Sequence, residues 1–152
     1  MDRTFLYNYA TFSLNRAKDL QTQILQIDLD IKLRKLSNKS SFRSANDSMQ
    51  LNYLHSRQVS VVSERDSHIS TALAYAIEIL LDEMQHKVSG YLSVGSMLIN
   101  NIQSFLFIYN IKPHISLLTT IKLSELSVKL AAPELSYNEV ASKLEELRHQ
   151  LY

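Results

Sequence analysis

Two Glu-x-x-His motifs are the residues of this chain whose types and spacing could support chemistry. The first contains Glu83 and His86, and the second contains Glu146 and His149. Residues three apart share one face of a helix, so the carboxylate and the imidazole of each motif could bind one metal ion together. A catalytic metal also needs its ligands to converge and to be oriented by neighbouring groups. The helices that carry the motifs would therefore have to present both pairs inward.

The spacing of the motifs resembles that of the di-metal carboxylate site in ferritin-like bundles, where two such motifs combine with two further glutamates. In the last predicted helix, the apolar stripe centres on Leu144 and Leu147, so the second motif projects from the opposite side. The first motif lies on the flank of its stripe, and the two further glutamates are not identifiable. We therefore expect solvated side chains at these positions and predict no metal, cofactor or catalytic residue. A metal-binding bundle remains the second alternative function.

A basic segment offers a different chemistry. Between residues 32 and 65 the chain has seven cations and two acids. Lysine and arginine contact nucleic-acid phosphates, and an aromatic side chain such as Phe42 or Tyr53 can stack on bases. Cations at the C-terminal end of a helix also complement the helix dipole, which explains those up to residue 35 without any ligand. The first alternative function is nucleic-acid binding through Lys32, Arg34, Lys35, Lys39, Arg43 and Arg57.

The composition favours an all-α fold. The 152 residues suit one domain, 1–152, and they include two glycines, two prolines and no cysteine. Sheet-containing folds need many tight turns, which glycine usually makes. The absence of cysteine excludes a disulfide framework, a Cys-based zinc site and thiol catalysis. The net charge of +1 gives no strong preference for nucleic acid or membrane. No signal peptide is visible, so we expect a cytoplasmic protein.

A stretch without charge, 88–111, is bracketed by Lys87 and Lys112. Polar residues in its middle, among them Asn100 and Asn101, argue against a membrane span, because a desolvated amide in hydrocarbon costs roughly 2–7 kcal/mol. We therefore predict no membrane span. The stretch is expected to be the buried, uncharged central helix of the bundle.

The first predicted helix, 4–36, has a coiled-coil-like seam. Small and aliphatic residues recur at heptad spacing, which favours pairing with another helix; they are Ala10, Ala17, Leu20, Ile24, Ile27 and Ile31, with Ser13 at one further position. Residues 27–33 also alternate strictly, which is typical of a strand. We favour the helix, because the alternation continues a helical pattern without a turn. Such a helix is about 50 Å long, at about 1.5 Å per residue, so part of it should overhang a small domain.

Later segments bring the expected total to a five- to six-helix bundle. Ser and Asn compete for backbone hydrogen bonds and favour loops, whereas Asp, Ser and a Ser-x-x-Glu box favour helix starts. The predicted elements are a polar loop at 37–48, a weaker helix at 49–62, a helix that begins at Asp66 or Ser67 and has a stripe from Ile69 to Val88, the uncharged helix that continues to about Asn110 and is stopped by Pro113, a helix at 114–131, and a last helix from Ser136.

The preferred function is non-enzymatic. The apolar faces exceed what one compact core requires, which predicts a helical protein–protein interaction module that binds itself or another protein. An oligomeric scaffold, an adaptor and a secretion-type chaperone subunit all fit this description. Aromatic residues are enriched at interfaces, and heptad seams bury against partner helices. The predicted partner-binding residues are Phe5, Tyr9, Phe12, Leu20, Ile24, Ile27 and Ile31.

Overall fold

A computed structural model describes residues 3–37, 45–86 and 93–111, together with the helical residues Ser142 and Glu146. Within these residues the chain forms three helices and no strand; they are α1 (Arg3–Ser37), α2 (Ala45–Gln85) and α3 (Val94–Ile108). The all-α class is therefore confirmed, whereas the predicted count of five to six helices is not. Most of the two helices predicted after residue 113 lies outside the described residues.

Helix α1 confirms the first predicted helix almost to the residue. Ile27 and Ile31 are buried, whereas the side chains of Leu29 and Leu33 are 57% and 55% exposed. The alternation across 27–33 therefore reflects two apolar faces of one helix, not a strand. Arg34 and Lys35 lie in its last turn, where cations complement the helix dipole.

Helix α2 replaces two predicted helices and part of the predicted loop. It runs from Ala45 to Gln85 without glycine or proline, so no residue in it breaks the helical geometry. The loop expected at 37–48 therefore ends at least four residues early, and Asp47 lies in the first turn of the helix. Asp66, predicted as a helix cap, instead lies in the middle of α2 and pairs with Arg65.

Helices α1 and α2 form a long antiparallel hairpin. Cross-helix contacts join Arg3 to Asp82 near one end and Gln21 to Arg65 near the middle, and Arg34 to Gln50 towards the other end. One apolar cluster contains residues of all three helices, and a second contains residues of α1 and α2 alone. We call this two-helix part the arm; it comprises residues 20–37 of α1 and 45–62 of α2.

Helix α3 is amphipathic, not the central helix expected for the uncharged stretch. It buries one face, formed by Gly95, Leu98, Ile99, Ile102, Phe105 and Leu106. Asn100, Asn101 and Ser104 lie exposed on its other side. Among the described residues, the large side chains with no exposed surface belong to α2; they are Ile69, Leu73 and Ile77. No helix among the described residues is long and apolar enough to cross a membrane.

Helix α3 ends through its own backbone conformation before Pro113 is reached. Asn110 has a φ of 49°, in the left-handed region. The Asn110 amide donates to the Phe107 carbonyl at 3.2 Å, and the Ile111 amide donates to the Leu106 carbonyl at 2.9 Å. These two bonds form a Schellman motif, in which asparagine takes the place usually held by glycine. The predicted end at about Asn110 is therefore close to the observed one, but the conformation of Asn110, before Pro113, ends the helix.

Candidate functional site

The first Glu-x-x-His motif serves the contact between two helices. The Glu83 side chain is buried, and its carboxylate accepts hydrogen bonds from the first amides of α3: Val94 N to Oε2 at 2.9 Å and Gly95 N to Oε1 at 2.7 Å. The Ser93 hydroxyl accepts a further bond from Ser96 N at 3.1 Å. Helix N-termini carry unpaired N–H groups and a partial positive charge, which a carboxylate satisfies. Both oxygens of Glu83 are therefore engaged within the chain.

The other members of the two motifs do not converge on Glu83. His86 is exposed, and its Nδ1 lies 2.8 Å from the Asp82 carbonyl oxygen. Glu146 is helical and exposed, and His149 lies outside the described residues. Among the described residues, no group of three or more His, Asp or Glu side chains is arranged to hold a metal ion.

The close contact at the start of α3 depends on a glycine. A Cβ atom on Gly95 would lie 2.7 Å from both Cβ and the backbone N of Leu80. Part of that obstruction is backbone, so a side chain can be accommodated only if α3 moves away from α2. The absence of a side chain at Gly95 allows α3 to approach α2 closely enough for Glu83 to reach its amides.

We expect Gly95→Ala to lower the free energy of unfolding by about 1–3 kcal/mol, the usual range for overpacking. The better helix propensity of alanine offsets at most about 1 kcal/mol of this loss. Ser96→Ala is the matched control, because the Ser96 hydroxyl is buried without a hydrogen-bond partner among the described residues. Urea denaturation of both variants measures the difference; equal midpoints would show that the tight contact is not needed.

A buried polar layer separates the two apolar clusters of the hairpin. Arg65 donates from Nη1 to Gln21 Oε1 at 2.7 Å and from Nη2 to Asp66 Oδ1 at 2.9 Å. All three side chains are buried. Polar groups buried in a helix seam can select one register, because a shifted register leaves them unpaired. The layer therefore fixes how α1 and α2 align, and with it which residues face outward along the arm.

The four described cations of the predicted nucleic-acid site lie on the arm, and one of them meets an acid of the same arm. Lys32 Nζ lies 2.9 Å from Asp28 Oδ2, and Arg34 donates to Gln50. Lys35 and Arg57 are exposed, whereas Lys39 and Arg43 lie outside the described residues. Binding through these cations stays a prediction, but the nearby carboxylates reduce the attraction that the arm offers to phosphates.

One of those carboxylates is held in its charged form. The Lys32 ammonium donates a hydrogen bond to Asp28, and this bond lowers the pKa of the Asp28 carboxyl below its usual value against the opposing effect of burial. Gln58 and the charge of Lys35 lower it further. An ordinary aspartate is already ionised at neutral pH, so this shift affects the charge of the arm only in acid.

The predicted partner-binding residues divide into two groups in the structure. The four aliphatic residues of the seam are at most 8% exposed and pack with α2 of the same chain; they are Leu20, Ile24, Ile27 and Ile31. In this fold another protein cannot reach them without opening the hairpin. Phe5, Tyr9 and Phe12 are 47%, 45% and 65% exposed, and their contact with a partner stays a prediction.

The three aromatic residues are arranged unevenly. The rings of Phe5 and Tyr9 lie with centroids 4.5 Å apart, and Tyr9 also contacts Tyr75 of α2 at 5.6 Å. Phe12 is the most exposed of the three. Phe5 and Tyr9 are thus partly held by neighbouring rings of the bundle, and Phe12 offers the larger free surface.

Sequence reasoning missed a second apolar face on the arm. Its four leucines follow one another at spacings of four, four and three residues, and each is at least half exposed; they are Leu25, Leu29, Leu33 and Leu36. We call them the leucine stripe. Leu25 follows buried Ile24 by one residue, and Leu29 and Leu33 follow Ile27 and Ile31 by two, so the stripe points away from α2. The alternation at 27–33 was the signal that could have revealed it.

The leucine stripe begins where α3 ends. A surface groove of about 540 Å³ lies between the C-terminal part of α3, including Phe105 and Ile108, and residues Lys18, Asp19 and Thr22 of α1. Leu25 lies within one turn of Thr22. Among the described residues, α3 packs into the first apolar cluster and contributes nothing to the second. The stripe thus lies beyond the three-helix part of the molecule.

The chain was compared with models of protein families, with curated proteins and with solved structures, and none of the three comparisons found a match. We therefore compare the candidate functions by asking whether the side chains that each one needs already have partners within the chain. Glu83 is held by α3, and Lys32 is held by Asp28. The leucine stripe, in contrast, is exposed and apolar.

Proposed function

We propose that this chain is a non-enzymatic helical protein–protein interaction module, of the kind that serves as an oligomeric scaffold, an adaptor or a secretion-type chaperone subunit. The observation that supports it is the leucine stripe, whose four side chains are 50–62% exposed. Contiguous exposed apolar surface marks interaction sites, because single scattered apolar residues are the usual state of a protein surface. The contact residues are the stripe and the aromatic residues Phe5, Tyr9 and Phe12.

Burial of the stripe supplies a driving force of useful size. Complete burial of a leucine side chain is worth roughly 1.5–3 kcal/mol, and about half of that surface is still available here. Four such side chains therefore offer several kcal/mol before the loss of rotational and translational freedom is subtracted. A partner helix that covers the stripe would bind weakly or moderately, as suits a reversible contact.

The arm presents the stripe on a rigid support. Ile24, Ile27 and Ile31 pack against Leu51 and partly buried Leu54 on the inner face of the hairpin. Because the inner face is filled, the outer face does not need to rearrange before binding. The contact is thus preorganised, which reduces the entropy lost on association.

Photocross-linking in cells tests the proposal. A benzophenone amino acid placed at Leu29, or at Phe12, is expected to form covalent adducts with a protein on irradiation of the full chain. The same group at Ser56, an exposed polar position of α2 in the arm, is the matched control and should form few adducts. Equal, background-level adducts at all three positions would contradict the proposed function.

A further inference from the structure

The charges beside the leucine stripe are ordered along the helix. Asp28, Lys32 and Lys35 follow one another at i, i+4 and i+7 and form one edge of the stripe. The acid lies towards the N-terminal half of the stripe, and the two lysines lie towards its C-terminal half. This edge therefore has two ends of opposite sign rather than a single charge.

We infer that the leucine stripe binds the same stripe of a second copy of this chain, with the two α1 helices antiparallel about a two-fold axis. This inference rests on the proposed function and names the partner for it. In this arrangement Leu25 lies across from Leu36, and Leu29 lies across from Leu33. A two-fold contact uses the same patch on both subunits, so the patch must be complementary to itself.

The order of charges along this edge is complementary to itself only when the two α1 helices are antiparallel. Reversal of one copy about the midpoint of the stripe brings Asp28 of one chain between Lys32 and Lys35 of the other. Antiparallel pairing places this edge of both copies on one side of the contact, where the acid end of each copy faces the basic end of the other. Side chains of opposite charge that flank an apolar seam set the orientation of paired helices.

A partner of uniform charge fits the edge less well. An acidic helix laid along the stripe would be attracted by Lys32 and Lys35 and repelled by the carboxylate of Asp28. A basic helix would be repelled by the two lysines and attracted by Asp28. Only a partner with the same alternating order satisfies both ends, and a second copy of the chain has it by construction.

The first test is the mass of the full chain by sedimentation equilibrium over a wide range of concentrations. We expect a reversible monomer–dimer equilibrium. Leu29→Gln/Leu33→Gln should raise the dissociation constant at least about tenfold, because it removes the centre of the contact. Val59→Gln, at an exposed apolar position of α2 in the arm, should leave it unchanged. A monomer at every concentration would overturn the inference.

Charge reversal tests the pairing of the edges. Asp28→Lys makes the edge wholly basic, and Lys32→Glu/Lys35→Glu makes it wholly acidic. Each variant alone is expected to dimerise less well than the native chain at low salt, and an equimolar mixture should form a mixed dimer. The effect should shrink as salt screens the charges. A mixture no more associated than its components would overturn the inference.

The direction of pairing is measurable because the native chain has no cysteine. Spin labels on Thr22→Cys and on Gln26→Cys report the distance between equivalent residues of the two copies. Antiparallel helices separate the two labels along the axis by about 26 Å at Thr22 and about 14 Å at Gln26, at about 1.5 Å per residue. Equal distances at both positions would indicate parallel helices and overturn the inference.

The two proposals fail in different ways. A cross-linked adduct at Leu29 that contains another protein, together with a monomeric native chain, overturns the second-copy inference and leaves the proposed function standing. An adduct with the mass of two copies supports both proposals. Cross-linking at the background level, together with a monomeric chain, would contradict both proposals.

Discussion

Asp66→Ala is expected to lower the free energy of unfolding by about 3–5 kcal/mol, because it leaves the buried Arg65 guanidinium without its charged partner. Arg65 and Asp66 are 7% and 6% exposed, and their closest approach is 2.9 Å. Gln21, which accepts a hydrogen bond from Arg65 at 2.7 Å, cannot replace a charge. Urea denaturation followed by circular dichroism gives the midpoint and slope from which this change is calculated.

Two further variants separate the charge from other effects of this substitution. Glu64→Ala removes an exposed ion pair with Arg16 at 3.4 Å and should change the free energy of unfolding by at most about 1 kcal/mol. Asp66→Asn keeps the shape of the side chain and one acceptor oxygen, so its free energy of unfolding should lie between those of the native chain and Asp66→Ala. If Asp66→Ala lowered the free energy of unfolding no more than Glu64→Ala does, the polar layer would not be needed to stabilise the hairpin.

Glu83→Ala is expected to lower the free energy of unfolding by about 2–4 kcal/mol. The carboxylate serves both Val94 N and Gly95 N, and loss of an acceptor for a buried donor costs about 1–3 kcal/mol. The negative charge also stabilises the N-terminal end of the α3 dipole. Amide hydrogen exchange should show α3 losing protection first, with less change in α1.

The conservative variant Glu83→Gln tests the role of the two oxygens. It retains one acceptor oxygen and loses the charge, so it should recover part of the stability lost in Glu83→Ala. Glu64→Ala, at an exposed glutamate of the same helix, again serves as the control. Unchanged protection of α3 in Glu83→Ala would contradict the capping role, since the first turn of α3 would then be stable without it.

Much of the fold could be predicted because its determinants are local. The heptad positions of α1 and the stripe that begins at Ile69 repeat with helical period, and both faces are buried in the structure. The break predicted before Asp66 was wrong for a tertiary reason. A charged pair in mid-helix resembles a helix start in sequence, and its acceptor Gln21 lies 44 residues away.

The candidate site was harder to predict, because it depends on which face each helix leaves open. A heptad seam indicates that a helix pairs, but it does not say with which chain. Ile24, Ile27 and Ile31 were predicted to contact a partner, and α2 occupies them instead. Glu83 was expected to be solvated, because the position of Val94 relative to α2 cannot be derived from spacing alone.

The leucine stripe illustrates the same limit. Its residues were visible as half of the alternation across 27–33, where they raised the question of helix or strand. The position of α2 on the opposite face of α1 makes them an open surface, and spacing within α1 alone does not reveal that position. Leu29 and Leu33 are then apolar side chains that the described helices leave more than half exposed.

The most direct measurement is the rate of alkylation of a single cysteine beside the stripe in the native particle. Gln26→Cys keeps all four leucines, and Asn15→Cys is a matched exposed position on the same helix. We expect Cys at position 26 to react more slowly than Cys at position 15 at high protein concentration, and the difference to vanish on dilution. Equal rates at every concentration, with or without cell extract, would show that no protein covers the stripe.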